Sequence, residues 1–176
     1  IMDTIVYFRK NLKIKTEYYN KKDFDIRPVR KGEEYLVKEI AAQAFKNYEG
    51  HYYADKRLDQ DLVSQVYPDW VYKSCISRGS KNEVFVCNYR DELVGFVTIS
   101  IDERNNSTVN LSGIKDKFRS KGIYPAFYYY LVKWSLDRNV KYSYASTQIT
   151  NISQQKYFMK FGYKLVSSYY TFHKWF

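Results

Sequence analysis

Residues 83–114 hold three strand-like runs in succession, and this stretch constrains the fold more than any other. "EVFVCNY" and "LVGFVTISI" flank the tight turn "RDE", and "TVNLSGI" follows the polar turn "DERNNS". Runs rich in Val, Ile, Phe and Thr, bounded by short polar turns, predict a hairpin and a third strand. Ahead of them "FDIRPV" alternates like a half-buried strand, with Pro28 marking its end or an edge. "GEEYLVKEIAAQAF" predicts a helix with Tyr35, Leu36, Ile40, Ala44 and Phe45 on one face. A second helix spans 58–77, with Leu62, Val66, Trp70, Val71 and Cys75 or Ile76 in phase and Pro68 as a kink. "IYPAFYYYLVKWSLDRNV" predicts a helix with Pro125 in its first turn and Phe127, Leu131, Trp134 and Ser135 on one face. The strand "KYSYASTQI", a helix capped by Asn151 and closed by Gly162, and the long strand "YKLVSSYYTFHKWF" complete the chain. The order strand, helix, helix, three strands, helix, strand, helix, strand requires an α/β mixed sheet with helices on both faces. Residues 1–22 read as an N-terminal strand, "TIVYF", and a basic connector; residues 23–176 read as the domain.

A chain of 176 residues with 45% hydrophobic and 27% charged positions can bury one core. Its net charge of +10 attracts anions: nucleic acid, anionic lipid, coenzyme A or nucleotide-sugars. The charge is spread along the sequence, which argues against a disordered nucleic-acid arm. The two cysteines, Cys75 and Cys87, form no paired-ligand motif, and with only two histidines a metal site is not expected. Both thiols read as core residues of a reducing compartment. No run approaches the ~20 apolar residues of a membrane span, and "MDTIVYFRKNLKIK" lacks the apolar segment of a signal peptide. The expectation is a cytoplasmic protein with no membrane partner.

"FRSKGIYPAF" places Arg119, Lys121 and Gly122 immediately before a helix. Backbone N–H groups at a helix N-terminus, a glycine that permits close approach and added positive charge suit a diphosphate. An ordinary turn before a helix start fits the same residues. Position decides between them. "NLSGIKDKFRSKGIY", Asn151 at the next helix start and "YFMKFGYK" at its end together resemble the GNAT superfamily of acyl-CoA-dependent N-acyltransferases, over residues 24–176. Tyr124 departs from the family pattern, which has a small residue there, and the spacing from Tyr157 to Gly162 is one residue longer. "YASTQITNISQQKYFMKFGYK" and the aromatic loop near His51 also resemble the nucleotide-sugar branch typified by TDP-fucosamine acetyltransferase.

The resemblance implies a mostly antiparallel central sheet with a splay between two central strands, and acetyl-CoA as co-substrate without a metal. It implies that the backbone of Ser112, Gly113 and Ile114 pairs with the pantetheine arm. Arg119, Ser120, Lys121, Gly122, Ile123 and Tyr124 would hold the diphosphate. Asn151 would bond a pantetheine amide, a role compatible with a plain helix cap. Tyr157 would protonate the departing thiolate, or else serve as a core aromatic. The acceptor is expected to be a small-molecule primary amine, anionic to suit the basic surface, on a nucleotide-linked amino sugar; a protein, peptide or other small amine is the alternative. His51, Asp55 and Glu103 are candidate bases, with His51 preferred because imidazole titrates near neutrality; a solvated loop His51 or a water relay are the alternatives. His173 reads as a structural residue of the last strand. Trp70, Tyr52 and Tyr53 could stack on a sugar or base. A basic nucleic-acid-binding module is the non-enzyme alternative, but no nucleic-acid signature is visible, and nucleic acid is not an expected partner. A monomer or a homodimer fits equally.

Overall fold

The computed structural model describes residues 1–13, 24–46, 48 and 50–176. Of the connector predicted to follow "TIVYF" within residues 1–22, residues 9–11 belong to β1 and residues 14–22 lie outside the described residues. Seven strands form one sheet: β1 (Asp3–Asn11), β2 (Asp25–Pro28), β3 (Asn82–Tyr89), β4 (Glu92–Ile101), β5 (Ser107–Ile114), β6 (Tyr142–Gln148) and β7 (Lys164–Thr171). Their spatial order is β2-β3-β4-β5-β6-β1-β7, and only the β5–β6 pair is parallel. The helices are α1 (Glu34–Ala44), α2 (His51–Ala54), α3 (Gln60–Ile76), α4 (Ile123–Leu136) and α5 (Ile152–Lys160). β1 lies between β6 and β7, so the predicted short N-terminal strand is longer than "TIVYF" and is an interior strand of the sheet.

Local chemistry accounts for the joints. Arg90 and Asp91, at φ 48° and 63°, make the two-residue β3–β4 turn, where two positive φ values match the twist of the flanking strands. Asp59 caps α3 by accepting from the N–H groups of Asp61 and Leu62 at 2.9 and 3.3 Å. Asn151 caps α5, accepting from the Gln154 N–H at 3.2 Å, and Gly162 at φ 80° ends it.

Two cores flank the sheet. On one side Phe127, Leu131 and Trp134 of α4 and Phe158 of α5 pack with Phe8, Val97 and Ile99. On the other, Val37, Ile40 and Ala41 of α1 and Tyr67, Val71 and Cys75 of α3 pack on Val84, Val86 and Phe96. Each fully buried Ile, Val or Phe side chain contributes about 1.5–3 kcal/mol relative to exposure. The α4 face matches expectation. On the other two helices Ile40, Phe45, Val71 and Cys75 are buried as expected, but Tyr35, Leu36, Leu62 and Trp70 are exposed, while Val37, Val63 and Tyr67 face inward. Long apolar chains at adjacent positions offered two overlapping stripes, and sheet packing selected the one with Val37 and Ala41. Tyr35 instead contacts Tyr72 across the surface, ring centroids 4.9 Å apart.

Candidate functional site: a cleft in the sheet

The site begins with a bulge. β4 and β5 pair as Val97↔Ser112 and Ile99↔Val109, so Asn110 and Leu111 together face Thr98. The register shift brings the Thr98 hydroxyl into the ladder: it accepts from Leu111 N–H at 3.0 Å and donates to Leu111 O at 3.4 Å. A bulge bends its strand and increases the local twist. Among the described residues β5 pairs with β6 only through Ser107–Val109 against Ser143–Ala145. Beyond that point the strands part, and a cleft of about 420 Å³ opens between them.

Its walls come from six places. β5 supplies Asn110 to Ile114, β6 supplies Ser146 and Thr147, and the end of α1 supplies Gln43, Ala44 and Phe45. Asn151, Gln154 and Phe158 line it from α5. Arg119 and Tyr124 line it from the start of α4, and Tyr48 from the loop after α1. Gly113 is obligatory at its position, because an added Cβ would lie 2.7 Å from Phe96 Cε1 and 2.9 Å from Ala44 Cβ.

The loop before α4 is left-handed at Ser120 (φ 61°) and Gly122 (φ 92°). This turn brings the start of α4, where backbone N–H groups lack partners within the helix, next to Arg119 and the cleft. Arg119 is held by Asp116, Nη2 to Oδ1 2.8 Å. A neighbouring recess of about 380 Å³ carries Lys46, Lys115 and Lys117 and shares Gln43 and Asp116 with the cleft. Lys115 and Lys117 both pair with Glu92, at 2.9 and 3.0 Å.

Of the predicted cofactor residues, Ser112, Gly113, Ile114, Arg119, Tyr124 and Asn151 line the cleft. Ser120 and Gly122 shape the turn. Ile123 is buried in the core, and the Lys121 ammonium lies over the Phe118 and Tyr89 rings, 5.2 and 5.9 Å from their centroids. Tyr124 turns inward. Its ring separates the cleft from a void of about 30 Å³ next to it, and Ser112 lines both spaces beside it. Burial raises the Tyr124 phenol, outweighing the lowering effects of Ser112 and Arg119.

Tyr157 lines that void and not the cleft; its ring is 5.3 Å from that of Tyr124. Phe158, one step further along α5, lines both the void and the cleft. The extra residue between Tyr157 and Gly162 is the sequence signal for this: one residue turns a helix by about 100°.

Beyond Tyr48 lies a polar aromatic cluster. The Tyr48 hydroxyl donates to Gln148 Oε1, and burial pushes its pKa up to about 12. Tyr67 stands between the Tyr48 and Tyr52 rings, and Tyr52 lies against His51, centroids 3.9 Å apart. His51 Nδ1 is 3.1 Å from His173 Nε2, and His173 Nδ1 is 2.8 Å from Asp55 Oδ2. His173 therefore does not belong to the last strand; β7 ends at Thr171, and the tail beyond it folds back to α2. Glu103 sits in the β4–β5 turn, at the end of β5 away from the splay, and is not brought to the cleft. Trp70 lines a separate recess with Lys73 and Glu83.

A splayed, mostly antiparallel sheet with a left-handed turn and helix start at the mouth of the opening defines an acyl-carrier-binding class of α/β protein. A profile of the acetyltransferase (GNAT) family matches residues 35–163, and the chain belongs to that family. Among curated proteins it is 21% identical over 152 residues to the spore coat polysaccharide biosynthesis protein SpsD of Bacillus subtilis (strain 168). The match covers 86% of this chain and 51% of SpsD, so the chain spans about half the length of that relative. The fold is shared with the PaiA N-acetyltransferase of Thermoplasma acidophilum solved with coenzyme A: TM-score 0.65, 15% identity, 80% of this chain and 89% of that one. It is shared also with AAC(6')-Iy bound to a bisubstrate analog: TM-score 0.63, 14% identity, 86% of this chain and 97% of that one.

Proposed function

We propose that this chain transfers an acetyl group from acetyl-CoA to the primary amine of a nucleotide-linked amino sugar. The observation that carries the reading is the cleft itself, which opens at the β5–β6 splay and ends against the turn at Arg119–Gly122. When bound, acetyl-CoA supplies an acetyl group activated as a thioester. The β5 backbone at Ser112–Ile114 would hold the pantetheine arm, and Arg119 with the turn through Gly122 and Tyr124 the diphosphate. Asn151 would reach a pantetheine amide while its Oδ1 keeps the α5 cap. At Gly113 the space a Cβ would take is filled by Phe96 and Ala44, so α1 packs closely on this stretch of β5.

The protein's own part is positioning and proton transfer. Tyr124 is the better-placed proton donor, because it lines the cleft with Ser112 and its raised pKa keeps the proton available at neutral pH. Tyr157 stands behind it and acts through contact with the Tyr124 ring. His51 is the proposed base, and its imidazole is held neutral by burial.

Two observations support an anionic, nucleotide-linked acceptor. The +10 charge favours anions in general, and the lysine-bearing recess opens beside the cleft. The similarity to SpsD, a polysaccharide biosynthesis protein, points to the same substrate class. The test is a panel of UDP- and dTDP-linked amino sugars, simple amines and peptides with acetyl-CoA, following free thiol release. Turnover confined to the nucleotide-linked amines supports the acceptor assignment; turnover confined to peptides or uncharged amines overturns it.

A further inference from the structure

The two histidines of this chain stand in one hydrogen-bonded line that ends on a buried carboxylate. Asp55 is 3% exposed and accepts from Arg57 Nε and Nη2, both at 2.8 Å, from Trp175 Nε1 at 3.1 Å and from His173 Nδ1 at 2.8 Å. The Arg57 guanidinium, the largest influence, with His173 and Trp175, holds the Asp55 carboxyl well below the usual range against the effect of burial. A carboxylate that stays ionised accepts only, so His173 Nδ1 must carry a proton. With His173 neutral, its Nε2 is the acceptor and His51 Nδ1, 3.1 Å away, is the donor, which leaves His51 Nε2 as the unprotonated end.

The line is also held mechanically. The Arg57 guanidinium stacks on the Trp175 indole at 4.6 Å, pinning the tail to the loop after α2. Asp3 Oδ2, buried and with no hydrogen-bond partner among the described residues, lies within electrostatic reach of both His51 and the cleft-lining Tyr48. His51 does not itself line the cleft; it is joined to the cleft-lining Tyr48 through the Tyr52 and Tyr67 rings, with successive centroids 3.9, 6.3 and 5.2 Å apart.

We propose that Asp55, His173 and His51 form a proton relay whose terminal base, His51 Nε2, takes the proton of the acceptor ammonium group. The inference rests on the transferase reading. The balance is simple: the ammonium gives one proton to His51 Nε2 and becomes the neutral amine, and His51 becomes an imidazolium. His173 Nε2 accepts its Nδ1–H, Asp55 orients His173, and solvent finally takes the proton. His51 is the catalytic residue; His173 and Asp55 are positioning residues. The groups facing His51 are His173, which opposes its charging, and Asp3, which favours it, with Tyr52 against its ring; burial dominates and lowers its pKa.

Ring-nitrogen NMR of the full chain tests the relay without any acceptor, because only two histidines contribute. Both should be Nδ1–H tautomers near pH 7, and Asp55→Asn should shift both sets of signals. A His51 that carries its proton on Nε2, or that ignores Asp55→Asn, overturns the relay. With a dTDP-linked amino sugar and acetyl-CoA, kcat/KM of wild type should rise with pH along a limb that His51→Gln abolishes, with a loss of about 10²–10⁴-fold. His173→Gln should keep acetyl-CoA affinity and displace that limb. Full rate and an unchanged limb in His51→Gln sink the proposal. Wild type that binds no acetyl-CoA sinks the transferase reading instead, and the tautomers still decide the relay.

Discussion

Replacing Gly113 by alanine should destabilise the fold and spoil the cleft together. The new Cβ would sit 2.9 Å from Ala44 Cβ, 2.7 Å from Phe96 Cε1 and 3.2 Å from Phe96 Cζ. Ordinary carbon contacts lie at about 3.5–4.0 Å, so α1 or Phe96 must retreat by about 1 Å. Neither can give easily: Phe96 is fully buried, and Ala44 ends a helix whose Val37, Ile40 and Ala41 are packed on the sheet. Overpacking of this kind costs about 1–3 kcal/mol. For a domain of this size each kcal/mol lowers Tm by about 2–4 °C, so the shift should be on the order of 2–12 °C. Because Ala44 and Gly113 pack against each other and both line the cleft, acetyl-CoA affinity should fall as well. The assay is thermal unfolding followed by circular dichroism, with Gly79→Ala as control. A Cβ at Gly79 meets nothing within 4 Å, so that variant should be neutral or stabilised by up to about 1 kcal/mol. Equal melting temperatures for Gly113→Ala and wild type would refute the packing argument.

Tyr124→Phe should lower the transfer rate more than Tyr157→Phe, measured by thiol release at saturating acetyl-CoA; the reverse order would return the donor role to Tyr157. Asp116→Asn frees the Arg119 guanidinium from its 2.8 Å partner and should tighten acetyl-CoA binding in calorimetry, most clearly at low salt. Cys75 and Cys87, whose thiols burial pushes up to about 12, should resist alkylation at pH 8 in the native protein and react on unfolding. Asp55 has a depressed pKa, so its contribution to stability is complete above the ordinary aspartate value of about 3.9 and is lost as pH falls through the folded value. Asp55→Asn should remove that part of the acid slope in urea unfolding.

The succession of β3, β4 and β5 was legible because their runs are bounded by turns whose chemistry is local, and the caps at Asn151 and Gly162 are where local rules place them; the place of β1 between β6 and β7 was not. The orientation of α1 and α3 was not, since two apolar stripes overlap and only the sheet chooses. The turn before α4 was legible from Gly122 and Pro125 at the start of the helix. The Thr98 bulge that opens the cleft was not: a threonine hydroxyl inserted into a ladder leaves no mark in sequence spacing. His51 was singled out by its chemistry, but His173 lies 122 positions away, and only the fold-back of the tail joins them.

The central claim is that the turn through Arg119, Ser120 and Gly122 at the mouth of the splay receives coenzyme A. Calorimetric titration of acetyl-CoA into wild type and Gly122→Trp tests it most directly, with circular dichroism to confirm that both are folded. Gly122 sits at φ 92°, where a tryptophan is strained and crowds the turn. The account predicts micromolar-range binding to wild type and none to the folded variant. Equal binding by both, or none by a well-folded wild type, would contradict it.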